Sequence, residues 1–454
     1  MRMMKILKNR IFVILAIGLL FIPLKGKAGL FNASEFVLNN GLRVVVVENH
    51  KAPLIKHMMW YLAGAADEKR GKGGSAHLLE HLMFRGSKNV KDGKFDQFMT
   101  ENGAESNAFT SHDMTVYHQF ADISRLEALM ALEADRMQNL KFSDKAFKAE
   151  QKIVFQERKQ VVENNPAAPF YERLNLMLWG NLPYGHPVTG LSEEIMELSA
   201  DDVYRFYDEH YAPNNAILVL AGDIEPAIAR KLAEKYYGSI PPKIIRPKNR
   251  DTVNAFFKEK LEMKLPLVTT PKLVYKYILP SSGNLNTNMY AYMLLAEYLG
   301  GGKTSALYRE LVVNGKLASS VSVSFDYFSK SNDVFSINVI PNSDVALINV
   351  NVAVRLAMSQ AIKELNLEEL EKLKTKMVSD LVFANDNPED AAYWLGTMLA
   401  YGFSLEQAQN YAENIKAVSL EEISAAAQDV LLKSSLVEGV LLPENKKKGD
   451  KNSD

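Results

Sequence analysis

Gly73-Gly74-Ser75-Ala76-His77-Leu78-Leu79-Glu80-His81-Leu82-Met83-Phe84-Arg85 is the stretch on which the reading of this chain turns. Its apolar residues recur at helical spacing, and the glycine pair precedes the helix, which is expected over Ser75–Arg85. His77 and His81 are four residues apart, so both imidazoles leave one face of that helix, a turn apart. Two such nitrogens suit a tetrahedral Zn²⁺. Glu80, three residues after His77 and next to His81, reaches a water at the metal without being a ligand; there it can take a proton and hand it to a leaving amine. The chain has 8 histidines, and chance would produce this triplet in roughly one chain of such composition in a hundred.

Composition narrows what can surround the motif. The 454 residues are 47% hydrophobic and 24% charged, ordinary globular values for a chain of two or more domains. Lys+Arg 53 against Asp+Glu 54 leaves no global basic field, so no nucleic-acid partner is expected. Cysteine is absent, which removes disulfides, thiolate metal sites and a cysteine nucleophile together. A metal must therefore be held by His, Asp or Glu. A catalytic zinc needs a third protein ligand, and spacing leaves Glu150, Glu157 and Glu163 all available on the helix expected over Asp144–Glu163. Glu150 and Glu157 are seven residues apart and share a face; spacing does not choose between them.

Further out, residues 1–28 read as a cleaved signal peptide. Arg2, Lys5, Lys8 and Arg10 precede the apolar run Ile11–Leu24, and Gly26-Lys27-Ala28 supplies the small residues of a cleavage site. The run, about 14 residues, is shorter than the ~20 of a membrane-spanning helix. Its removal leaves 47 basic against 54 acidic residues, and an exported, periplasmic protein is expected. A zinc-site domain is expected over 29–240, with strands at Leu42–Glu48 and Ala216–Leu220 and a further helix at Ile123–Leu140. A proline-rich basic linker follows over 241–256. A second domain over 257–443 repeats the mixture, with strands at Lys272–Leu279 and Val334–Ile340 and helices at Met289–Leu299, Val345–Leu365 and Leu367–Phe383. The tail 444–454 is charged and expected to be disordered. Gly300-Gly301-Gly302-Lys303-Thr304-Ser305 imitates the end of a phosphate loop, but Glu297 stands where that motif needs glycine, so no nucleotide is expected.

His77-x-x-Glu80-His81 is the inverted zinc-peptidase signature, and with it the chain resembles the pitrilysin/insulinase family, which includes the mitochondrial processing peptidases. Gly71–Gly74, Met83–Ser87, Ser106–Ser111, Tyr184–Pro187 and Tyr211–Ala216 match as well, closely over residues 34–240 and more loosely beyond. The resemblance implies an α+β protein of two homologous α/β-sandwich domains, each a mostly antiparallel sheet covered by helices. It implies a zinc endopeptidase acting on peptides or unfolded segments, one Zn²⁺ per chain, with Glu80 as general base and His77, His81 and Glu157 as ligands. Glu150 becomes a supporting acid. Asn107, Ala108 and Phe109 fall on a substrate-binding edge strand, read as Asn107–Tyr117, and His112 and His118 beside it are taken as non-ligands. The resemblance also implies a helix over Ser305–Val312 after the Gly-rich turn. The family's second half commonly supplies an Arg and a Tyr to hold substrate, whereas Val334–Val345 has neither; Tyr308, Arg309 and Tyr327 are the candidates to take their place in space. Its chamber needs four such domains, so a homologous partner is expected, a heterodimer over a homodimer. A non-catalytic assembly subunit is the alternative, disfavoured because the motif is intact.

Overall fold

The computed structural model describes residues 31–248, 250–279, 289–384 and 387–444. The leader expected over 1–28 and residues 445–454 of the expected tail lie outside the described residues. No described helix is long and apolar enough to cross a membrane.

Two sheets organise the molecule. The first contains β1 (Ala33–Val37), β2 (Arg43–Glu48), β3 (Leu54–Tyr61), β4 (Glu105–Thr110), β5 (Thr115–Asp122) and β6 (Ala216–Gly222) in the order β1-β2-β6-β3-β5-β4. The second contains β7 (Lys258–Leu265), β8 (Lys272–Leu279), β9 (Ala318–Asp326), β10 (Asp333–Pro341) and β11 (Ser435–Pro443) in the order β7-β11-β8-β10-β9. Without β1 the orders are the same: first, fifth, second, fourth and third strand of each half. Even the exceptional pairing recurs, since β2–β6 and β7–β11 are the parallel pairs and the others are antiparallel. The protein is α+β, two helix-covered mixed sheets.

The uninterrupted run Val44–Val47 follows from burial on both faces. Val44 and Val46 enter the core under the first half's helices, while Val45 and Val47 enter a core shared with the second half. Five helices matter below: α1 (Ser75–Leu82), α2 (Asp144–Asn164), α3 (Ala168–Trp179), α4 (Met289–Gly300) and α5 (Pro388–Ala400). The halves exchange cover. From the second half, α5 lies on the first sheet, and a Cβ on Gly396 would stand 2.2 Å from the Trp60 ring. From the first half, α3 lies on the second sheet, where a Cβ on Gly439 would stand 2.6 Å from Phe170. Glycine at both points lets backbone and ring close to contact.

Three details differ from the sequence reading. The motif helix ends at Leu82, and Met83–Arg85 leave it as a turn. The strand expected over Asn107–Tyr117 is two strands joined by a turn closed by Ser111 N–H donating to Met114 O at 2.8 Å, so only Asn107–Thr110 belongs to the edge. The helix expected over Ser305–Val312 is one α-turn, Ala306–Tyr308, continuing as a π-helix over Arg309–Asn314. The segment 241–257 has no helix or strand among its described residues, but it is fastened down. Arg250 bonds Asp67 at 2.9 Å and Asp113 at 3.0 Å, and Lys248 bonds Asp67 at 3.1 Å.

Candidate metal centre

The start of α1 is set by a residue outside it. Glu68 accepts from the backbone N–H of Gly74 at 3.1 Å and of Ala76 at 2.8 Å, satisfying two donors that a helix N-terminus leaves free. Burial pushes the Glu68 carboxyl up to about 8, against the pull of those two N–H groups. Ala76, Leu78, Leu79 and Leu82 anchor the helix in the core. That anchoring leaves His77, Glu80 and His81 on the side facing a cleft of about 430 Å³, which Glu150, Glu157, Ser106, Asn107 and Ala108 also line.

Glu157, on α2, is the carboxylate that meets both rings. Its Oε2 lies 3.7 Å from His77 Nε2 and 3.4 Å from His81 Nε2. Edges of about 3.4 Å are what a tetrahedral zinc with bonds of about 2.0–2.1 Å requires. One ligand atom from each of the three residues lies within 4.8 Å of the others, the one such group found among the described residues. Glu150 meets only one ring, and on its other nitrogen: its Oε2 lies 3.0 Å from His81 Nδ1, while Arg85 Nε donates to its Oε1 at 2.7 Å. A carboxylate there fixes His81 with Nδ1 protonated and Nε2 free to ligate. Exposure separates the two acids, Glu150 being 4% exposed and Glu157 41%. Glu163's side chain lies outside the described residues.

The electrostatics suit ligation. Burial, helped by His81, pushes His77 down to about 4, so it is neutral with a lone pair to offer. Its Nδ1 is buried with no hydrogen-bond partner in the described structure, so only His81 carries an orienting acid. Burial would lower His81 too, but Glu150 and Glu157 outweigh it and raise it. Burial would raise Glu150, but His81 and Arg85 hold it below its ordinary value. Glu80 is itself nearly buried; burial raises its pKa, opposed by the Thr110 hydroxyl, which donates to its Oε2 at 2.5 Å.

Asn107 and Ala108 border this cleft from β4, an outermost strand whose far side pairs with no described strand, and Phe109 turns to the opposite face. His112 bonds the His186 carbonyl at 3.0 Å, and neither it nor His118 joins the cluster. Tyr327 packs among Phe325 and Phe328, its ring centroid 5.6 and 4.2 Å from theirs. Sequence reading assigned no role to Glu68, Arg85 or Thr110. Arg85 had a signal, as it continues the four-residue spacing of His77 and His81.

Residues 43–190 match the family described as insulinase (peptidase family M16), and residues 197–377 match the M16 inactive domain. The chain belongs to the M16 insulinase peptidase family. It is 29% identical to the zinc protease PqqE of Helicobacter pylori over 367 residues, 78% of this chain and 80% of that protein. An uncharacterized zinc protease of Rickettsia bellii is 27% identical over 397 residues, covering 87% and 90% of the two chains. The mitochondrial-processing peptidase subunit beta of Blastocladiella emersonii is 24% identical over 410 residues, 87% of this chain and 85% of that one. Among solved structures, a protease from Helicobacter pylori superposes with a TM-score of 0.84 at 25% identity, over 91% of this chain and all of that one. The periplasmic protease PqqL from Escherichia coli shares the fold, with a TM-score of 0.75 at 17% identity, over 91% of this chain and 48% of that one.

Proposed function

We propose that this M16 protein is a zinc-dependent endopeptidase for peptides or unfolded segments, with His77, His81 and Glu157 holding the metal and Glu80 as general base. The observation that carries this reading is convergence: three ligand atoms, a nearly buried carboxylate beside them, and a strand edge that pairs with no described strand and borders the same cleft. Zinc in that position supplies a Lewis acid for the peptide carbonyl and lowers the pKa of water. The edge of β4 binds an extended peptide through main-chain hydrogen bonds, which tolerate many sequences. Thr110 holds one Glu80 oxygen, leaving the other to remove a proton from the attacking water and pass it to the leaving amine. A raised pKa makes Glu80 the stronger base for the first of these transfers. Arg85 and Glu150 keep His81 in its ligating tautomer.

Two further parts belong to the proposal. Residues 1–28 are an export leader, cleaved after about Ala28, and the enzyme works in the periplasm; N-terminal sequencing of the isolated protein tests this. A homologous second subunit closes the cleft, for Ile153 and Val161 lie exposed a turn to either side of Glu157. A heterodimer is favoured, and sedimentation of the chain alone tests it: a monomer supports the separate partner, a dimer the homodimer. The peptidase itself is tested with a quenched, unstructured peptide and zinc. Glu80→Gln should keep the metal and lower kcat by roughly 10³-fold; full turnover by that variant would defeat the mechanism.

A further inference from the structure

Phe109 belongs to an arrangement that the metal chemistry does not use. Ala108 packs toward the core under α1, whereas Phe109 packs toward the face on which α5 lies. Ile217 of β6, Trp60 of β3, Val116 of β5 and Phe109 of β4 are successive register partners. They form one apolar row running across the sheet to its open edge. Trp60 is fully buried and meets Phe109 edge-on, with centroids 5.9 Å apart. Tyr393, brought by α5, lies over the same row with its ring 5.8 Å from both Trp60 and Phe109. Yet Tyr393 is 52% exposed, at the point where the row reaches the strand edge.

We propose that substrate completes this row: Phe109 and Tyr393 form a subsite, on the sheet face opposite the histidine helix, that selects a large apolar side chain of the bound peptide. The inference rests on the peptidase reading and adds a substrate preference to it. In a strand added to β4, successive side chains alternate between faces. The residue in register with Phe109 sets its Cβ about 5 Å from that of Phe109, on the Tyr393 side, while its two neighbours point toward the metal. A large apolar side chain there covers the free flank of Phe109 and the exposed part of Tyr393. A carboxylate there is desolvated against two rings. The adjoining row, Met58–His118–Asn107, ends in polar groups, so the preference is confined to one peptide position. The second half, which offers no histidine, thereby contributes to recognition through α5.

The test uses the full chain carrying Glu80→Gln, loaded with zinc, so that peptides bind without being cut. The probes are labelled 12-residue Ser/Ala peptides through which a single Phe is walked. Phe at one position should tighten binding roughly ten-fold over the Phe-free parent. Adding Tyr393→Ala should collapse that ratio toward unity, whereas Tyr393→Phe should preserve it. A ratio unchanged by Tyr393→Ala, or a gain at no Phe position, would overturn the subsite. Cleavage of the parent peptide by the wild-type chain is scored separately and decides the peptidase reading, so the two can fail independently.

Discussion

The halves share a strand order down to the single parallel pair, yet they use it differently. Between its second and third sheet strands, counted from β2, the first half places α1, with His77, Glu80 and His81 turned to a cleft. The second half places α4 there, Met-Tyr-Ala-Tyr-Met-Leu-Leu-Ala-Glu-Tyr-Leu-Gly, which is buried along most of its length. All 8 histidines precede residue 211. The second half therefore cannot repeat a histidine site, and its visible work is support: α5 covers the first sheet and carries Tyr393 to the edge strand. One architecture thus serves chemistry where a helix keeps a polar face, and packing where the same place is apolar.

The sharpest way to break this contrast is to make the first half resemble the second. His77→Leu with His81→Leu should reduce bound zinc from one ion per chain to none, read by metal analysis after dialysis, and abolish cleavage. Next comes the reciprocal packing. Gly396→Ala and Gly439→Ala should each destabilise the whole protein by about 2 kcal/mol, seen as a lower urea midpoint in a single transition. Two separate transitions would show halves more independent than the exchanged helices imply. Glu150→Gln should weaken zinc binding by about 10–100-fold in a competition titration while leaving stoichiometry unchanged.

The smallest effect concerns the fastening of 241–257. Burial alone would raise Asp67, but Lys248 and Arg250 hold its carboxyl below the ordinary value. A depressed carboxylate contributes stability above its unfolded pKa and loses it as pH falls through the lower folded value, so the window lies below about pH 4. Asp67→Asn should therefore cost stability at pH 6, and the gap to wild type in urea unfolding should narrow toward pH 3.

How much of this was legible follows the range of the interactions. The motif was readable because helical spacing alone puts His77 and His81 on one face, and Val44–Val47 because a doubly buried strand needs no alternation. Glu150 and Glu157 were not separable by spacing, since both lie on one face of α2; the difference is which histidine nitrogen each meets, which depends on how α2 docks on α1. The turn at Ser111–Met114 lacks Gly and Pro, so β4 and β5 read as one strand. The duplication showed only as a similar mixture of elements, because strand order is decided by pairings between residues as distant as Arg43 and Ile217. Glu68 was invisible for another reason: its partners are backbone N–H groups, those of Gly74 and Ala76, which no residue type marks.

The central claim is that one metal site, in the first half alone, drives peptide hydrolysis with Glu80 as base. Zinc titration into the metal-free protein, with bound metal and peptide cleavage followed in the same sample, tests it most directly. Cleavage should rise in step with zinc and stop at one ion per chain, while Glu80→Gln binds the same zinc and stays inactive. Cleavage that is independent of zinc, or undiminished in Glu80→Gln, would contradict it.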